Sequence, residues 1–498
     1  MKLREVINCI HSENVFNHKY IDTTDITGIS YNSKTAKQGD IFVCLVGEHT
    51  DGHIYAQKAI DNGAVAVIAC KKLDFESVPV IMVDDTMEVM AKVAALLNDF
   101  PSKKMNLIGV TGTNGKTTVT HLIQSIIESD NKKCGLIGTL GHKFSSKDTY
   151  RDAKHTTPQS PEFQSTLKLM NESSLTHVAA EVSSHALEQH RVGSIDFVGA
   201  VFTNLTQDHL DYHITMEAYF KEKQKLFSGL ARSEQKNKYA VINNDDGYNE
   251  RLNEVLSENI KVLTYGVENT SDVMAKNIEF STSGTTFECV TPVGSVDVNL
   301  KMAGLFSVYN VLAALCVGIA EGIDLGTCIR ALEETRGVAG RFETVETNPL
   351  TIVDYAHTPD GLLNVLTAAK KILPDGGDLV CVFGCGGDRD ATKRPKMAEI
   401  AENIADKIVI TSDNPRTEDP QQIITDVLSG IKSLNSETIK VEIDRQAAIE
   451  FAVKNAKTND IIVVAGKGHE DYQILKDKTI HFDDREEVIK AFAKFRNV

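Results

Sequence analysis

The chain alternates between short apolar runs and amphipathic stretches over most of its length. In the first hundred residues, strand character is typical of the runs DIFVCLV, AVAVIAC and VPVIMV. Helical periodicity is found in the stretches DGHIYAQKAIDNG and MEVMAKVAALLNDFP. The alternation resumes at MNLIGV and continues through KCGLIG, THVAAEV, DFVGAVFTN and YAVINND. Strands that alternate with helices form largely parallel sheets covered by helices, so the pattern predicts an α/β protein.

Two interruptions divide this pattern. Pro101 closes the second helical stretch, which places a boundary near Lys103. The segment RGVAGRFE follows the long helical stretch AGLFSVYNVLAALCVGIAEG, which places a second boundary near Val338. At 498 residues the chain is too long for one core, since domains have roughly 100–200 residues. We therefore expect three α/β domains, at residues 1–103, 104–338 and 339–498.

Composition and charge narrow the class of protein. Hydrophobic residues make up 42% and charged residues 24% of the chain, which is typical of a globular protein. The net charge of −16 argues against nucleic acid or an anionic membrane as the main partner. We find no signal peptide and no apolar stretch near the ~20 residues of a membrane span. We expect a cytoplasmic protein that binds no nucleic acid, does not insert into a membrane and is a monomer.

The nine cysteines do not indicate a metal site. Only Cys381 and Cys385 lie close together, and no second pair accompanies them. Reduced thiols in a cytoplasm are the simplest interpretation.

The stretch GVTGTNGKTT, residues 109–118, lies between a predicted strand and a predicted helix. The usual phosphate loop would have a glycine at the position of Val110, but the glycines here are Gly109, Gly112 and Gly115. Backbone amides at a helix N-terminus bind phosphate oxygens. Lys116 would neutralise the β- and γ-phosphates, and the Thr117 hydroxyl would ligate Mg²⁺. An ordinary glycine-rich turn is the alternative, but the strand–loop–helix context favours a mononucleotide-binding domain of the P-loop type.

The third domain also shows a site at the ends of its strands. The apolar runs in TIVDYAH, DLVCVFGCGG, KIVITSDNP and DIIVVAGKGHE each lead into polar or glycine-rich residues. These strand ends carry Asp354 with His357, Arg389, residues 413–416 and residues 466–470. Ligands bind beyond the carboxyl ends of strands in open parallel sheets, so we expect a Rossmann-like domain with a binding site at this edge.

The loop G-T-N-G-K-T-T resembles the shortened phosphate loop of the Mur ligases and of the folylpolyglutamate synthetases, which are three-domain, ATP-dependent, amide-forming enzymes. The resemblance to the Mur ligases extends over essentially the whole chain. It implies that ATP is bound by the loop residues Gly112, Thr113, Asn114, Gly115, Lys116, Thr117 and Thr118. It also implies that ATP is covered from the far side by Asn310, Arg341, Asp354 and His357.

A metal and a modified lysine are implied in the central domain. Glu181, at the end of a strand, is a suitable Mg²⁺ ligand, and His209 follows the next strand. The pattern D-H-L-D-Y-H…Y-x-x-x-K resembles the Mur ligases, in which the lysine is carbamylated and helps to hold Mg²⁺. The resemblance implies Lys223 for this role, although Lys221 and Lys225 lie close by and a plain solvated helix face is the alternative. The implied catalytic residues are Lys116, Lys223, Glu181 and His209, and the implied metal ligands are Thr117, Glu181, His209 and carbamylated Lys223.

The N-terminal stretch GISYNSKTAKQGDIFVCLVGEHTDGH resembles the uridine-nucleotide domain of the same ligases. Family members usually have D-S-R where this chain has Asn32-Ser33-Lys34, so Ser33 and the positive charge are kept and Asn32 has no assigned role. The residues implied to bind a UDP-sugar are Ser33, Glu48, His49, Thr50, Thr156, Thr157, Ser183, Gln189 and Arg191. For Ser183, Gln189 and Arg191, a helix cap with a solvated face is the alternative.

The D-N-P-R stretch at residues 413–416 resembles the family members that add meso-diaminopimelate, whereas lysine-adding members generally lack the arginine. A guanidinium can bind the distal carboxylate of diaminopimelate through two parallel hydrogen bonds. The implied amine-binding residues are Arg389, Asp413, Asn414, Pro415, Arg416, Gly466 and Glu470. The same stretch is also compatible with a type I turn.

The resemblance implies an ATP-dependent ligase that joins meso-diaminopimelate to UDP-N-acetylmuramoyl-L-alanyl-D-glutamate through an acyl-phosphate, in the synthesis of peptidoglycan precursors. A lysine-adding ligase is one alternative, and Arg416 argues against it. A folylpolyglutamate synthetase is another, and the uridine-type N-terminal domain argues against it. A nucleotide-dependent binding or switch protein is an alternative of a different class.

Overall fold

The structure is a computed structural model. It describes residues 1–12, 14–16, 18–47, 50–151, 155–281, 284–433 and 437–496. Two of the residues implied to bind a UDP-sugar, Glu48 and His49, therefore lie outside the described residues.

The first sheet has the strand order β1-β5-β4-β3-β2. Its strands are β1 Val15–Phe16, β2 Gly28–Ser30, β3 Asp40–Val43, β4 Ala66–Ala69 and β5 Val80–Met82. The helices around it are α1 Leu3–Ile10, α2 Ala56–Asp61 and α3 Thr86–Leu97. Strands β2 to β5 are parallel, and β1 pairs antiparallel with β5. The strands predicted from DIFVCLV, AVAVIAC and VPVIMV are confirmed, as are the two helical stretches.

The second sheet has the strand order β15-β14-β13-β12-β11-β10-β6-β9-β7-β8. Its strands are β6 Asn106–Thr111, β7 Cys134–Gly138, β8 Gly141–Lys143, β9 His177–Glu181, β10 Phe197–Phe202, β11 Tyr239–Asn243, β12 Lys261–Gly266, β13 Val273–Ser281, β14 Gly284–Thr291 and β15 Gly294–Leu300. Its helices are α4 Lys116–Ser129, α5 Ser160–Glu172, α6 Ser184–Glu188, α7 Leu210–His213, α8 Met216–Arg232, α9 Asn249–Asn253, α10 Leu305–Ala320 and α11 Leu325–Glu334. Strands β7, β9, β6, β10, β11, β12 and β13 are parallel, whereas β8 at one edge and β14 and β15 at the other pair antiparallel.

The third sheet has the strand order β16-β17-β21-β18-β19-β20. Its strands are β16 Glu343–Val345, β17 Leu350–Asp354, β18 Leu379–Phe383, β19 Lys407–Ile410, β20 Ile439–Val441 and β21 Ile461–Ala465, and a hairpin follows as β22 Tyr472–Leu475 and β23 Lys478–His481. Its helices are α12 Pro359–Lys371, α13 Lys393–Ile404, α14 Pro420–Leu428, α15 Arg445–Asn455 and α16 Asp484–Phe495. Because β17, β21, β18 and β19 are parallel, the four predicted strand ends meet at one edge, as expected.

The α/β fold is confirmed. The predicted phosphate loop, residues 112–115, joins the buried strand β6 to helix α4. Helix α4 packs against α10 and α11 over a continuous apolar core. This packing fixes the loop that joins β6 to α4, residues 112–115, at the carboxyl edge of the second sheet. The sheets separate between β5 and β6 and between β15 and β16, and the domain boundaries near 103 and 338 remain predictions.

In the part of the chain that the structure describes, no helix combines the length and the apolar character needed to cross a membrane.

Candidate active site

A cavity of about 440 Å³ lies between the loop after β6 and the first turns of the third domain. Its walls include the predicted ATP-binding residues Thr113, Asn114, Gly115, Lys116, Thr117, Thr118, Asn310, Arg341, Asp354 and His357. The predicted metal ligands Glu181 and His209 line the same cavity. The loop residues 113–118 and the third-domain residues Arg341, Asp354 and His357, more than 200 positions apart in the chain, thus line one cavity.

The loop has the geometry of a phosphate cradle. Gly115 has φ 87°, and a Cβ there would lie 2.4 Å from Asn310 Oδ1, so no other residue fits without a shift. The Asn114 amide donates to Asn204 Oδ1 at 2.9 Å, and the Asn114 carbonyl accepts from Thr203 Oγ1 at 2.6 Å. These bonds fix the loop directly before the N-terminus of α4, where amides and the helix dipole favour an anion.

Two lysines share one carbonyl of this loop. Lys116 Nζ donates to the carbonyls of Gly112 and Thr113, each at 2.9 Å. Lys223 Nζ donates to the Gly112 carbonyl at 2.7 Å and lies 4.5 Å from the centre of the Tyr219 ring. Gly112 is therefore placed within the predicted loop but does not line the cavity itself.

Burial distinguishes Lys223 from its neighbours on α8. Lys223 is 1% exposed, whereas the side chains of Lys221 and Lys225 are 65% and 45% exposed. Burial lowers the pKa of Lys223 well below its usual value, and the charge of Lys116 lowers it further. The solvated-helix-face alternative is therefore wrong for Lys223, which is buried.

Glu181 ends β9 with its carboxylate completely buried against the phosphate loop. Its Oε2 accepts from Thr117 Oγ1 at 3.0 Å and from Thr139 Oγ1 at 2.9 Å, and its Oε1 accepts from the Thr139 amide at 2.8 Å. A Cβ at Gly138 would lie 2.2 Å from Glu181 Oε1, so the neighbouring strand end must be glycine for the carboxylate to fit. Arg341 Nη2 donates to Thr117 Oγ1 at 3.3 Å from the third domain.

These donors are suited to Mg²⁺. Mg²⁺ prefers carboxylate, hydroxyl, phosphate and water oxygens and is rarely enclosed by protein ligands alone. Thr117 Oγ1 and the Glu181 carboxylate supply such oxygens at the cavity wall, 3.0 Å apart. Within the described ranges no group of three or more His, Cys, Asp or Glu side chains is placed to hold a metal. The residues present therefore fit a nucleotide-bound Mg²⁺ ion.

His209 presents a neutral imidazole to the cavity. Burial lowers its pKa to about 4, and its Nε2 lies 3.3 Å from Asp208 Oδ2. A neutral ring keeps one nitrogen lone pair available at neutral pH.

The third-domain residues differ in how they meet the cavity. The Arg341 guanidinium lies 4.5 Å from the centre of the Tyr355 ring while it reaches Thr117. His357 Nδ1 lies 2.8 Å from the Tyr355 carbonyl. Asp354, in contrast, accepts from the amides of Phe342 at 2.6 Å and Ala356 at 2.7 Å, so its carboxylate is occupied in holding two turns.

Asp360 was missed by the sequence analysis. Its Oδ2 accepts from Asn114 Nδ2 at 2.7 Å and from Thr206 Oγ1 at 3.1 Å, and so it joins α12 of the third domain to the phosphate loop. In the sequence Asp360 is an acidic residue in the first turn of a helix, a position that is favoured by the helix dipole alone. The sequence therefore provided no reason to assign it to the site.

Four predicted UDP-sugar residues form one hydrogen-bonded group beside Glu181. Arg191 Nη1 donates to the Thr157 carbonyl at 2.8 Å, and Arg191 Nη2 donates to Gln189 Oε1 at 2.7 Å. Thr157 Oγ1 lies 3.4 Å from Ser183 Oγ, which also accepts from the Ala186 amide and caps α6. The helix-cap interpretation of Ser183 is thus confirmed alongside its place in this group.

The remaining predicted UDP-sugar residues are less closely joined. Thr156 lines the cavity, and its Oγ1 lies 3.2 Å from Thr139 Oγ1. Ser33 is buried in the first domain, and Thr50 is exposed. The first domain meets the second through Tyr31, whose hydroxyl donates to Glu162 Oε1 at 2.8 Å.

A second polar group lies at the carboxyl ends of β19 and β21. Asn414 Nδ2 donates to Glu470 Oε2 at 2.8 Å, while Lys467 Nζ donates to Asn414 Oδ1 at 3.0 Å. Lys467 Nζ also lies 3.3 Å from Asp413 Oδ1 and 3.6 Å from Glu470 Oε2. Burial raises the pKa of Glu470, and the charge of Asp413 raises it further. Asp413, Asn414, Lys467 and Glu470 are called the amine cluster below.

Lys467 is the member of the amine cluster that the sequence analysis missed. Its side chain is 0% exposed, and its ammonium lies between two carboxylates. In the sequence Lys467 lies in the glycine-rich stretch GKGHE, between the predicted residues Gly466 and Glu470. Lysines in such turns are usually exposed, so the sequence did not indicate that Lys467 is buried.

The predicted arginines are placed differently around this cluster. Arg416 Nη1 donates to the carbonyls of Gly387 at 2.8 Å and Asn414 at 3.4 Å. The Nε and Nη2 groups of Arg416 donate to no oxygen of the described residues. The Pro415 carbonyl accepts from the Glu418 amide at 3.1 Å, so residues 415–418 form a turn. Arg389 is exposed, and the bond it makes among the described residues is to the Asp388 carbonyl, at 2.9 Å, rather than to the amine cluster.

A buried ion pair lies next to the amine cluster and holds the end of β21. Arg445 and Asp484 are both 0% exposed and are joined by bonds of 2.7 Å from Nε and from Nη2. Arg445 Nη2 also donates to the Ala465 carbonyl at 3.0 Å, directly before Gly466, whose amide donates to the Asp354 carbonyl. The pair therefore joins α15 and α16 to the end of β21.

Comparisons with known proteins agree with this arrangement. Three family models match: "Mur ligase family, catalytic domain" over residues 25–98, "Mur ligase middle domain" over 110–318, and "Mur ligase, glutamate ligase domain" over 340–468. The chain is 46% identical to the UDP-N-acetylmuramoyl-L-alanyl-D-glutamate–2,6-diaminopimelate ligase of Bacillus cereus, over 98% of this chain and 97% of the relative. It is 47% identical to the ligase of the same name from Bacillus velezensis, over 99% of each chain.

A solved structure of a ligase with this name, 33% identical, covers 99% of each chain with a TM-score of 0.70. Similarity over the full length, in sequence and in fold, shows that the chain belongs to the Mur ligase family.

Proposed function

We propose that this chain is the ATP-dependent ligase that joins meso-diaminopimelate to UDP-N-acetylmuramoyl-L-alanyl-D-glutamate, with release of ADP and phosphate. The observation that carries the proposal is the full-length identity of 46–47% to enzymes named for this reaction. The phosphate loop would bind ATP, the group at Thr157 and Arg191 would bind the UDP-sugar dipeptide, and the amine cluster would bind the amine, which supports the proposal.

The first half of the reaction uses the cavity at the phosphate loop. The γ-carboxylate oxygen of D-glutamate attacks the γ-phosphorus of ATP, the bond to the ADP oxygen breaks, and an acyl-phosphate forms. Lys116 Nζ bonds the loop carbonyls of Gly112 and Thr113, and its ammonium would turn toward the β- and γ-phosphates of ATP. Arg341 approaches from the third domain and would stabilise the same negative charge.

Thr117, Glu181 and His209, together with a carbamate on Lys223, would hold Mg²⁺, which when bound neutralises phosphate charge. Lys223 is suited to carbamylation because its buried amine favours the neutral form. That amine attacks the carbon of CO₂ and loses one proton, and a carbamate anion results. The new carboxylate would form against the Gly112 carbonyl and Lys116, where a bound cation and the lysine offset its charge.

The second half of the reaction uses the amine cluster. The amine nitrogen of diaminopimelate attacks the acyl carbon, a tetrahedral intermediate forms, and phosphate leaves as the amine loses a proton. The distal amino-acid head of diaminopimelate carries both an ammonium and a carboxylate. The Glu470 carboxylate would accept hydrogen bonds from the ammonium. The Nε and Nη2 groups of Arg416 would donate to the distal carboxylate.

Lys467 is a positioning residue in this proposal. Its ammonium holds Asn414 and lies between the carboxylates of Asp413 and Glu470, where it weakens their mutual repulsion. The Tyr355 ring lines the ATP cavity, and its centre lies 5.0 Å from the centre of the His469 ring, directly before Glu470 in the chain.

The UDP-sugar dipeptide would be bound by the group at Thr157, Ser183, Gln189 and Arg191, with Ser33 and Thr50 from the first domain. We also propose that the chain acts in the cytoplasm, where ATP and nucleotide-linked sugars are found. A monomer is proposed because one chain supplies both the cavity and the amine cluster, and light scattering of the purified protein tests it.

The test of the proposed function is phosphate release with each substrate omitted in turn. Release should require ATP, the UDP-sugar dipeptide and meso-diaminopimelate together, and lysine should substitute poorly. Release with ATP alone would favour a nucleotide switch, and equal or better release with lysine would favour the lysine-adding ligase.

A further inference from the structure

A cysteine, a histidine and an aspartate form a hydrogen-bonded chain in the first domain, directly after the predicted UDP-sugar residue Thr50. Cys70 directly follows β4, and His53 lies in the short helical turn Gly52–Tyr55. His53 Nε2 lies 3.7 Å from Cys70 Sγ and accepts from the Cys70 backbone amide at 3.2 Å. The other ring nitrogen, Nδ1, bonds Asp51 Oδ1, and Asp51 Oδ2 bonds the ammonium of Lys71.

The hydrogen bonds fix the tautomer of His53. A backbone amide can only donate, so Nε2 of His53 must carry a lone pair. The ring proton is then on Nδ1, where it donates to Asp51. Hydrogen bonds from Lys71 and from His53 lower the pKa of Asp51, which keeps its carboxylate anionic. The imidazole is thus oriented by a carboxylate, and its one lone pair, on Nε2, is shared between the Cys70 amide at 3.2 Å and the thiol sulfur at 3.7 Å. A base within reach of a thiol is the arrangement that activates a nucleophile.

Access also distinguishes Cys70 from the other cysteines. Of the nine free cysteines, all of them described, Cys9 and Cys70 are partly exposed and the others are buried. Cys44 is close enough for its pKa to be affected by Asp51 and Cys70, but burial dominates and raises that pKa to about 12. Burial also raises the pKa of the partly exposed Cys9. Partly exposed thiols beside His and Lys are the ones that react.

We propose that Cys70 is a reactive thiol and the site at which small disulfides and alkylating electrophiles modify this protein. In the reaction with a small disulfide, His53 Nε2 gives up its hydrogen bond from the Cys70 amide, takes the Cys70 thiol proton, and the thiolate attacks one sulfur. A new sulfur–sulfur bond forms, the old one breaks, and the departing thiolate takes the proton from His53. Cys70 is oxidised to a mixed disulfide, and the other half of the reagent is reduced to a thiol.

A purely structural role for His53 makes a different prediction. In that case the ring only holds the Cys70 backbone against the turn after β3, and the rate of thiol modification would not depend on it. The rate at Cys70, compared with that at Cys9 in the same molecule, therefore separates the two roles.

The experiment is iodoacetamide labelling of the native full-length protein, with rates for each cysteine obtained by peptide mass spectrometry. Cys70 should react about tenfold faster than Cys9, as expected for a base-assisted thiol. His53→Gln should bring the Cys70 rate to within about threefold of the Cys9 rate, and Asp51→Asn should lower it severalfold. Cys70→Ser identifies the labelled site, and a constant Cys9 rate shows that each variant is folded.

If Cys70 reacts no faster than Cys9 in the wild type, the proposal is wrong. An unchanged Cys70 rate in folded His53→Gln and Asp51→Asn variants would also overturn it. If His53→Gln does not fold, the Asp51→Asn variant decides, because its amide oxygen can still accept from the His53 amide and keep the turn.

Discussion

Replacing Arg416 by alanine should cost about a hundredfold in kcat/KM for meso-diaminopimelate. Only Nη1 of this guanidinium is engaged within the described protein, on the carbonyls of Gly387 and Asn414, so two donor groups remain for a substrate carboxylate. Hydrogen bonds to charged groups contribute roughly 1.5–3 kcal/mol each. Two such bonds, reduced by the cost of desolvating a half-buried arginine, leave about 3 kcal/mol, which corresponds to about a hundredfold.

The assay is kcat/KM for meso-diaminopimelate and for lysine, at saturating ATP and UDP-sugar dipeptide. Arg416→Lys should recover only part of the loss, since an ammonium does not reproduce the planar fork. Arg416→Ala should not greatly raise activity with lysine, because lysine has no distal carboxylate. Arg4→Ala removes an exposed arginine of the first domain and serves as the matched control. The reasoning fails if Arg416→Ala keeps its diaminopimelate value within about threefold of the wild type.

Four further substitutions test other parts of the account. Lys116→Ala should abolish phosphate release without a change in melting temperature, and near-normal turnover would refute its role at the phosphates. Lys223→Ala should be inactive and partly restored by short carboxylic acids, whereas a bare ammonium in an active crystal at ample CO₂ would refute carbamylation. Lys467→Met should raise KM for diaminopimelate about tenfold or more, with KM for ATP unchanged. Asp484→Asn should destabilise the protein by about 3–5 kcal/mol, because it leaves Arg445 buried without its partner, and a calorimetric melting temperature equal to wild type would contradict this.

Strand ends were the most predictable feature of the third domain. Apolar runs that lead into polar residues locate a strand and its carboxyl end together, so the sequence brought Asp354, residues 413–416 and residues 466–470 to one edge before any coordinates. Arg389 followed a strand end in the same way, but it lies on the surface. Position along the chain determines the edge of the sheet and not the direction of a long side chain.

The antiparallel strands β14 and β15 were not predicted, for a related reason. They alternate buried with exposed positions and contain many polar residues, so they lack the continuous apolar runs by which the parallel strands were recognised. Strands of this kind can be predicted from the alternation of apolar and polar residues only if the turns between them are identified as well.

Burial of charged residues was the least predictable property of the site. Lys223 and Lys467 lie in polar stretches of the sequence, yet both side chains are buried. Lys223 contacts the Gly112 carbonyl, and Lys467 contacts Asn414. Their burial depends on carbonyls and carboxylates far away in sequence, such as Gly112 for Lys223. Asp360 was missed for the same reason, since its contact with Asn114 crosses between domains.

The choice of amine is the central claim, and a competition experiment tests it most directly. Wild-type protein is incubated with ATP, UDP-N-acetylmuramoyl-L-alanyl-D-glutamate, and equal concentrations of meso-diaminopimelate and lysine, and the nucleotide products are weighed by mass spectrometry. The account predicts that the product carrying diaminopimelate exceeds the lysine product by about a hundredfold, in line with the two charge-assisted bonds assigned to Arg416. A mixture of comparable amounts, or a product that carries mainly lysine, would contradict the account.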